Sequence, residues 1–475
     1  MAEGNVYKWS FVDRASIAAI NLATNLILVR LLTSDDFGLL AMIAIFIAVA
    51  SDLSSCGLSD GLIHKAAPTE MDYSTVFMFN SAFGLLFGLA FFFGAPLVAG
   101  YFGHEELITV MRALGVCFFF QTMSYVQETR LRKMLRMRTI CLVRVGATLT
   151  VSVIGIAAAM LGYGYKALIC TQILLSVFFF IYYTAGSRWF PKIQFSMTSF
   201  KEFFSYGVHL MLAYLATLVG RNINTFVLGR FYSSPSMSGL YYQGAKLATV
   251  PYGISEASLN VPLFVVASNE QNPSLRRRLI ADMSSTMFTL NLSLLAFMIL
   301  LAQPAVVWLL GSKWAGVAPV FRILAVAECL LCIKQFLMTL CKVYGRTVFV
   351  RNMGFLEVAF QLLLLLLFYR FGFLWIAATQ AAGVAFAVCF YSVYCSRSLK
   401  VFRFRDFAAI VFSSAWLPAL SALAGGALFL LPVSTWSAFV QCVALTAAYA
   451  AVMFGLGAVT DSGLYPMVKA QLLKK

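Results

Sequence analysis

A small set of ionisable side chains stands inside otherwise apolar sequence: Asp13 and Arg14, Asp52, Arg112, Arg144, Arg221, Lys246 and Glu256, Arg322, Glu328 and Lys334, and Glu357. A charge held in hydrocarbon costs roughly 2.5–3.5 kcal/mol on insertion scales, and is retained mostly where it faces a cavity, a partner or an ion path. Asp13, Arg14, Asp52, Arg144 and Glu357 lie within about two turns of the ends of their runs, where snorkelling competes with a functional role. Arg221 sits deeper, in LATLVGRNINTFVLG, with Asn222 and Asn224 beside it. Lys246 lies about ten residues into the next run. That run also carries Pro251, Gly253 and Pro262 and is expected to bend. Two cations in a cavity suit an anionic ligand, and the planar guanidinium fork suits a phosphate. Arg221, Lys246, Arg14 and Arg322 are therefore the candidate substrate-binding residues. Asp13, Asp52 and Glu256 are the acids that would balance them or carry coupling ions, with H+ or Na+ as the candidate ions.

No catalytic constellation accompanies these charges. The sequence holds no Walker loop, no HExxH and no Ser/His/Asp set in a plausible context. Its three histidines, His64, His104 and His209, are scattered. Cys329 and Cys332 form a CxxC inside the apolar run VFRILAVAECLLCIKQFL, where small hydrophobes packed in a helix are the expected reading. No metal or cofactor is expected, and the chain reads as a transporter rather than an enzyme.

The elements that must position the charges are membrane helices. Of 475 residues, 61% are hydrophobic and 11% charged, where a soluble domain carries about 25% charged residues to wet its surface. Apolar runs of about twenty residues match a hydrocarbon core roughly 30 Å thick, and they do not alternate as barrel strands would. The expected fold class is an all-α integral membrane protein with about fourteen spans. They are placed at 9–32, 37–57, 74–99, 106–128, 139–160, 165–186, 204–229, 237–267, 283–309, 318–341, 351–370, 373–396, 407–431 and 435–459. The opening MAEGNVYKWSFVDR lacks the pattern of a cleavable signal, so insertion is expected to use the first span.

With the N-terminus placed in the cytoplasm, 23 of the 35 basic residues fall on the inner side. The outer side has Arg30, Lys166, Arg230, Lys313 and Arg370. Both termini are expected inside, in a bacterial inner membrane. The net charge of +16 is then inner-loop charge with an attraction to anionic membrane lipid, and no nucleic-acid partner is expected.

The chain also repeats itself. Residues 138–172 align with 346–380 without a gap, matching Arg138, Thr139, Gly164, Thr171 and Gln172 to Arg346, Thr347, Gly372, Thr379 and Gln380. LVRLLTSDDFGLL (28–40) aligns with LGRFYSSPSMSGLY (228–241), placing Arg30 on Arg230 and Gly38 on Gly239. Six spans per copy make the repeats parallel, two lobes around a central cavity. The expected domains are a lobe at 1–200, a second at 201–400, and two extra helices with a short tail at 401–475.

RLLTSDDFGLLAM (30–42) resembles the first-loop motif of Wzx-type polysaccharide flippases, through Arg30, Leu32, Asp36, Phe37 and Gly38. RNINTFVLGRFYSSPSMSGLYYQGAKLATVP (221–251) is similar to their segment between spans 7 and 8, through Asn222, Ile223, Gly229, Arg230, Gly239, Tyr241, Lys246, Leu247 and Pro251. The chain departs from that pattern at Asn224, where many members carry Asp. The resemblance implies alternating access by two six-helix lobes, moving oligosaccharides linked to polyprenyl pyrophosphate between leaflets, often with ion coupling. A monomer is expected, associated with polysaccharide-assembly proteins. A multidrug or cation extruder of the same superfamily is the alternative, which acidic rather than basic intramembrane residues would favour.

Overall fold

The computed structural model describes residues 2–44, 46–47, 58, 62, 65, 67–232, 234–269, 272–344, 346–399, 404–427 and 436–460. Among these the chain is helical, with no strand. The reason is the solvent: hydrocarbon offers no partner to a backbone N–H or C=O, so each must be satisfied inside its own helix. The helices are α1 (Ala2–Leu31), α2 (Ser34–Met42), α3 (Glu70–Phe102), α4 (Glu106–Lys133), α5 (Met137–Met160), α6 (Tyr165–Ser187), α7 (Met197–Tyr232) and α8 (Pro235–Asn269). They continue as α9 (Pro273–Leu310), α10 (Val317–Val343), α11 (Thr347–Phe368), α12 (Phe373–Arg397), α13 (Phe404–Gly426) and α14 (Ala438–Thr460). Eleven of them, among the described residues, are long and apolar enough to cross a membrane. The expected span at 37–57 lies largely outside the described residues, while those at 204–229 and 237–267 coincide with α7 and α8.

The chain forms two compact units, Met1–Gly239 and Leu240–Lys475. In the first, α3 packs on α4, α4 and α5 on α6, and α1 on α5. Lipid supplies no hydrophobic drive between helices, so close approach through small residues takes over. A Cβ on Gly88 of α3 would lie 2.9 Å from the Gly115 carbonyl of α4. Helix starts are fixed by capping boxes. Asp36 accepts from the Thr33 N–H at 2.9 Å, and Asp72 from the Thr69 N–H at 2.8 Å. A polar clamp joins α3, α4 and the α6–α7 connection. The Arg130 guanidinium lies 2.7 Å from the Glu70 carboxylate, which also accepts from the Trp189 indole N–H at 2.6 Å. Arg130 also sits over the Trp189 ring, 5.2 Å from its centroid.

In the second unit α12 packs on α10 and α11, and α9 on α10, α13 and α14. Leu300, Leu301, Leu417, Leu445 and Met453 form one buried cluster of that unit. There the Tyr449 hydroxyl donates to the Ser293 carbonyl at 2.9 Å. Cys329 and Cys332 are buried thiols, in keeping with the packing role expected of them.

Some of the residues aligned between the two halves of the sequence have local features in common. Gly164 and Gly372 precede α6 and α12 with φ of +54° and +120°, a region glycine enters without a Cβ penalty. Further along those helices Thr171 donates to the Leu168 carbonyl at 2.6 Å, and Thr379 to the Ile376 carbonyl at 2.7 Å. The earlier aligned pair meets face to face within the first unit. A Cβ on Gly38 would collide with the Pro235 carbonyl, and a Cβ on Gly239 with the Ser34 carbonyl. The Ser34 and Ser236 hydroxyls are 2.7 Å apart.

Both collisions are with backbone, which cannot rotate away. Gly38→Ala and Gly239→Ala should therefore each destabilise the protein by about 1–3 kcal/mol, the range for overpacking. Gly100→Ala, with open space around its Cβ, should cost nothing. Melting temperatures of the detergent-solubilised variants check this; equal values for all three would refute the close contact.

Candidate functional site

Intramembrane charges of the first unit meet where α1 crosses α5. Asp13 is 7% exposed, and its Oδ2 accepts from the Arg144 Nη1 at 2.8 Å. Removing two charges from water is repaid only by such pairing and further hydrogen bonds. Asp13 Oδ1 is buried without a hydrogen-bond partner among the described residues. Arg14, the next residue, is exposed, as is Asn21 two turns along the same helix face. Thr24 is half-buried and Asn25 buried. The charge-based reading passed over Asn21, Thr24 and Asn25 because they are neutral; their spacing from Arg14 was the available signal.

In the second unit α8 presents Lys246, Thr249 and Gly253, all exposed, at helical spacing after the half-buried Tyr242. Lys246 Nζ lies 5.9 Å from the centroid of the Tyr242 ring. The Thr249 hydroxyl donates to the Ala245 carbonyl at 2.8 Å, and its oxygen is 3.5 Å from Glu328 Oε1 on α10. Deeper along α10, Lys334 Nζ donates to both Glu357 oxygens of α11, at 2.8 and 3.0 Å. Arg322 is exposed on α10. Tyr241, a turn before Lys246, donates its hydroxyl to Gln380 Oε1 at 2.7 Å, tying α8 to α12.

Asp13 is thus joined to Arg144 and Lys334 to Glu357, while Arg14, Lys246 and Arg322 remain exposed. Asp52 lies outside the described residues, as do the side chains of Arg221 and Glu256, whose backbones are helical in α7 and α8. Beyond Arg221, Asn224 and Thr225 are 1% and 7% exposed. Among the described residues no group of three or more His, Cys, Asp or Glu could hold a metal ion. Chemically, the pairs are internally neutral, and the exposed cations are the groups able to meet an anion.

Residues 27–319, which include α8 and both motif segments, match the model of the polysaccharide biosynthesis protein family. The chain belongs to this family. Among its relatives are the teichuronic acid biosynthesis protein TuaB of Bacillus subtilis, 24% identical over 67% of this chain and 66% of that protein, and the lipopolysaccharide biosynthesis protein WzxC of Escherichia coli, 22% identical over 67% and 65%. The succinoglycan biosynthesis transport protein ExoT of Rhizobium meliloti is 23% identical over 67% and 65%. The chain spans just under two thirds of the length of these relatives. Its fold is similar to that of the lipid II flippase MurJ in an inward closed conformation, with TM-score 0.75 and 14% identity over 96% of this chain and all of that one. An inward-facing multidrug resistance transporter of the MATE family has TM-score 0.63 and 17% identity over 84% and 96%.

Several motif residues that mark this polysaccharide biosynthesis chain serve its packing. Asp36 caps α2, Gly38 and Gly239 permit the reciprocal contact, and Arg230 lies 4.7 Å from the Tyr101 ring centroid. Lys246 is exposed on α8, 5.9 Å from the centroid of the Tyr242 ring.

If Asp13 and Arg144 form a neutral unit, Asp13→Asn and Arg144→Gln should each destabilise, and the double variant should recover part of the loss. A coupling of at least about 1 kcal/mol is expected, because one partner is buried and the other half-buried. Additive losses in thermal unfolding would exclude the pairing.

Proposed function

We propose that this protein is a flippase that moves polyprenyl-pyrophosphate-linked oligosaccharide, or an exopolysaccharide precursor, across a bacterial inner membrane by alternating access. The observation that carries the reading is the exposed Lys246 strip of α8, within the family-matched segment. A cationic side chain kept exposed along a membrane helix is costly unless a polar ligand or cavity water meets it. A pyrophosphate supplies several acceptors, which suits Lys246 and Arg322 in the second unit and Arg14 and Arg221 in the first, the arginines by their fork geometry. Membership in the polysaccharide biosynthesis family and the MurJ-like fold support the same substrate class.

On this reading the repeats at 1–200 and 201–400 act as two lobes, 401–475 adds two helices, and both termini are cytoplasmic. The protein acts as a monomer beside the polysaccharide-assembly enzymes and itself transports rather than catalyses. Coupling to H+ or Na+ would fall to Asp13, whose Oδ1 has no hydrogen-bond partner among the described residues, with Asp52 and Glu256. The MATE-like fold admits a cation extruder, but exposed Arg14, Lys246 and Arg322 would repel a cation.

Loss of the protein should abolish one surface polysaccharide and leave its lipid-linked repeat on the cytoplasmic leaflet. Lys246→Ala and Arg221→Ala should reduce export at least ~10-fold, the loss of one charge-assisted contact of 1.4 kcal/mol or more, at unchanged membrane levels. Surface glycan and lipid-linked intermediates report both. Normal export in both variants would reject the cationic site, and unchanged glycan with raised drug sensitivity in the null strain would indicate the extruder.

A further inference from the structure

Arg112 belongs to neither polar cluster. It stands six residues into α4 from Glu106, a depth of about 9 Å at 1.5 Å per residue, and its side chain is exposed. The surface around it is apolar. Arg112 lines a groove of about 180 Å³ together with Leu85, Gly88, Leu89, Phe92, Gly115 and Val116. The two glycines let α3 and α4 approach, and neither fills the trough with a Cβ.

The face that carries this groove has the apolar, exposed character of a lipid-facing surface. Leu85 and Phe92 are 51% and 41% exposed, and the apolar stripe continues along α3 through Leu86, Phe93 and Leu97. Exposed leucine and phenylalanine on a spanning helix have hydrocarbon as their solvent, which fixes the class of occupant as a lipid.

The guanidinium supplies the second half of the argument. Its Cζ is 4.8 Å from the Phe92 ring centroid. A ring face attracts the charge but leaves the five N–H donors without strong acceptors. Among the described residues no carboxylate forms an ion pair with Arg112. Helical side chains lean toward the N-terminus, here the Glu106 end and the nearer membrane surface. Snorkelling along that direction brings the guanidinium to the level of lipid phosphates.

We propose that Arg112 and the α3–α4 groove bind a phospholipid of the surrounding bilayer, the guanidinium fork taking the phosphate and an acyl chain lying along Leu85, Leu89 and Val116. The site does not rest on the transport reading and would hold for any function of the protein.

The test is a thermal-shift titration of the purified full-length protein in detergent with phosphatidylglycerol, inorganic phosphate and undecaprenyl phosphate. Wild type should be stabilised by phosphatidylglycerol and not by inorganic phosphate. Arg112→Leu should need ~10-fold more phosphatidylglycerol for the same shift, as expected for loss of a charge-assisted bond worth 1.4 kcal/mol or more. Arg112→Lys should fall between, keeping the charge but not the fork. Val116→Trp, which fills the groove and leaves the charge, should weaken binding as well, and it carries the test if Arg112→Leu does not fold. Identical phosphatidylglycerol titrations for wild type, Arg112→Leu and Val116→Trp would overturn the site. An equal shift with inorganic phosphate would reduce it to an anion contact without a chain groove. Preferential stabilisation by undecaprenyl phosphate would replace the bilayer phospholipid with the prenyl lipid.

Discussion

Every other feature of this molecule depends on the absence of water around most of its surface. Hydrocarbon cannot satisfy a backbone amide, so the spanning segments are helices, and it cannot solvate a charge, so each intramembrane ion must be paired, positioned near an edge or put to use. The same solvent removes the hydrophobic drive between helices. Cohesion then falls to small-residue contacts such as Gly88 with Gly115 and to a few buried polar bonds, among them Tyr449 to the Ser293 carbonyl.

Within that constraint the ionisable residues sort by exposure. Asp13 with Arg144 and Lys334 with Glu357 lock neighbouring helices as neutral pairs. Lys246, Arg14 and Arg322 keep their charges exposed, which suits ligand contact better than packing. Arg112 is a third kind, a cation on an exposed apolar helix face, held against a ring rather than a carboxylate. A hydropathy trace scores all of these alike, although their surroundings assign them different work.

Motif residues divide along the same line. Asp36, Gly38, Gly239 and Tyr241 build caps, close approaches and a cross-helix hydrogen bond. Each of these contacts serves the architecture. Lys246, by contrast, is exposed on α8 beside the Tyr242 ring.

Composition and periodicity alone determined the all-α membrane fold, because apolar runs of spanning length admit no other solution in lipid. Of the residues aligned between the two halves of the sequence, Gly164 and Gly372 both have positive φ, and Thr171 and Thr379 both donate to the carbonyl three residues before them. The motif segments in RLLTSDDFGLLAM and around Lys246 also pointed to the polysaccharide biosynthesis family that the chain matches. Sequence could rank the intramembrane charges by depth but could not pair them. Asp13 and Arg144 are separated by 131 positions, and Thr249 and Glu328 by 79. Only the packing of α1 on α5, and of α8 near α10, brings such partners within reach. Tertiary structure likewise decided that Gly38 and Gly239 serve one contact, because a glycine's reason is the neighbour its missing Cβ admits, and that neighbour lies about two hundred residues away.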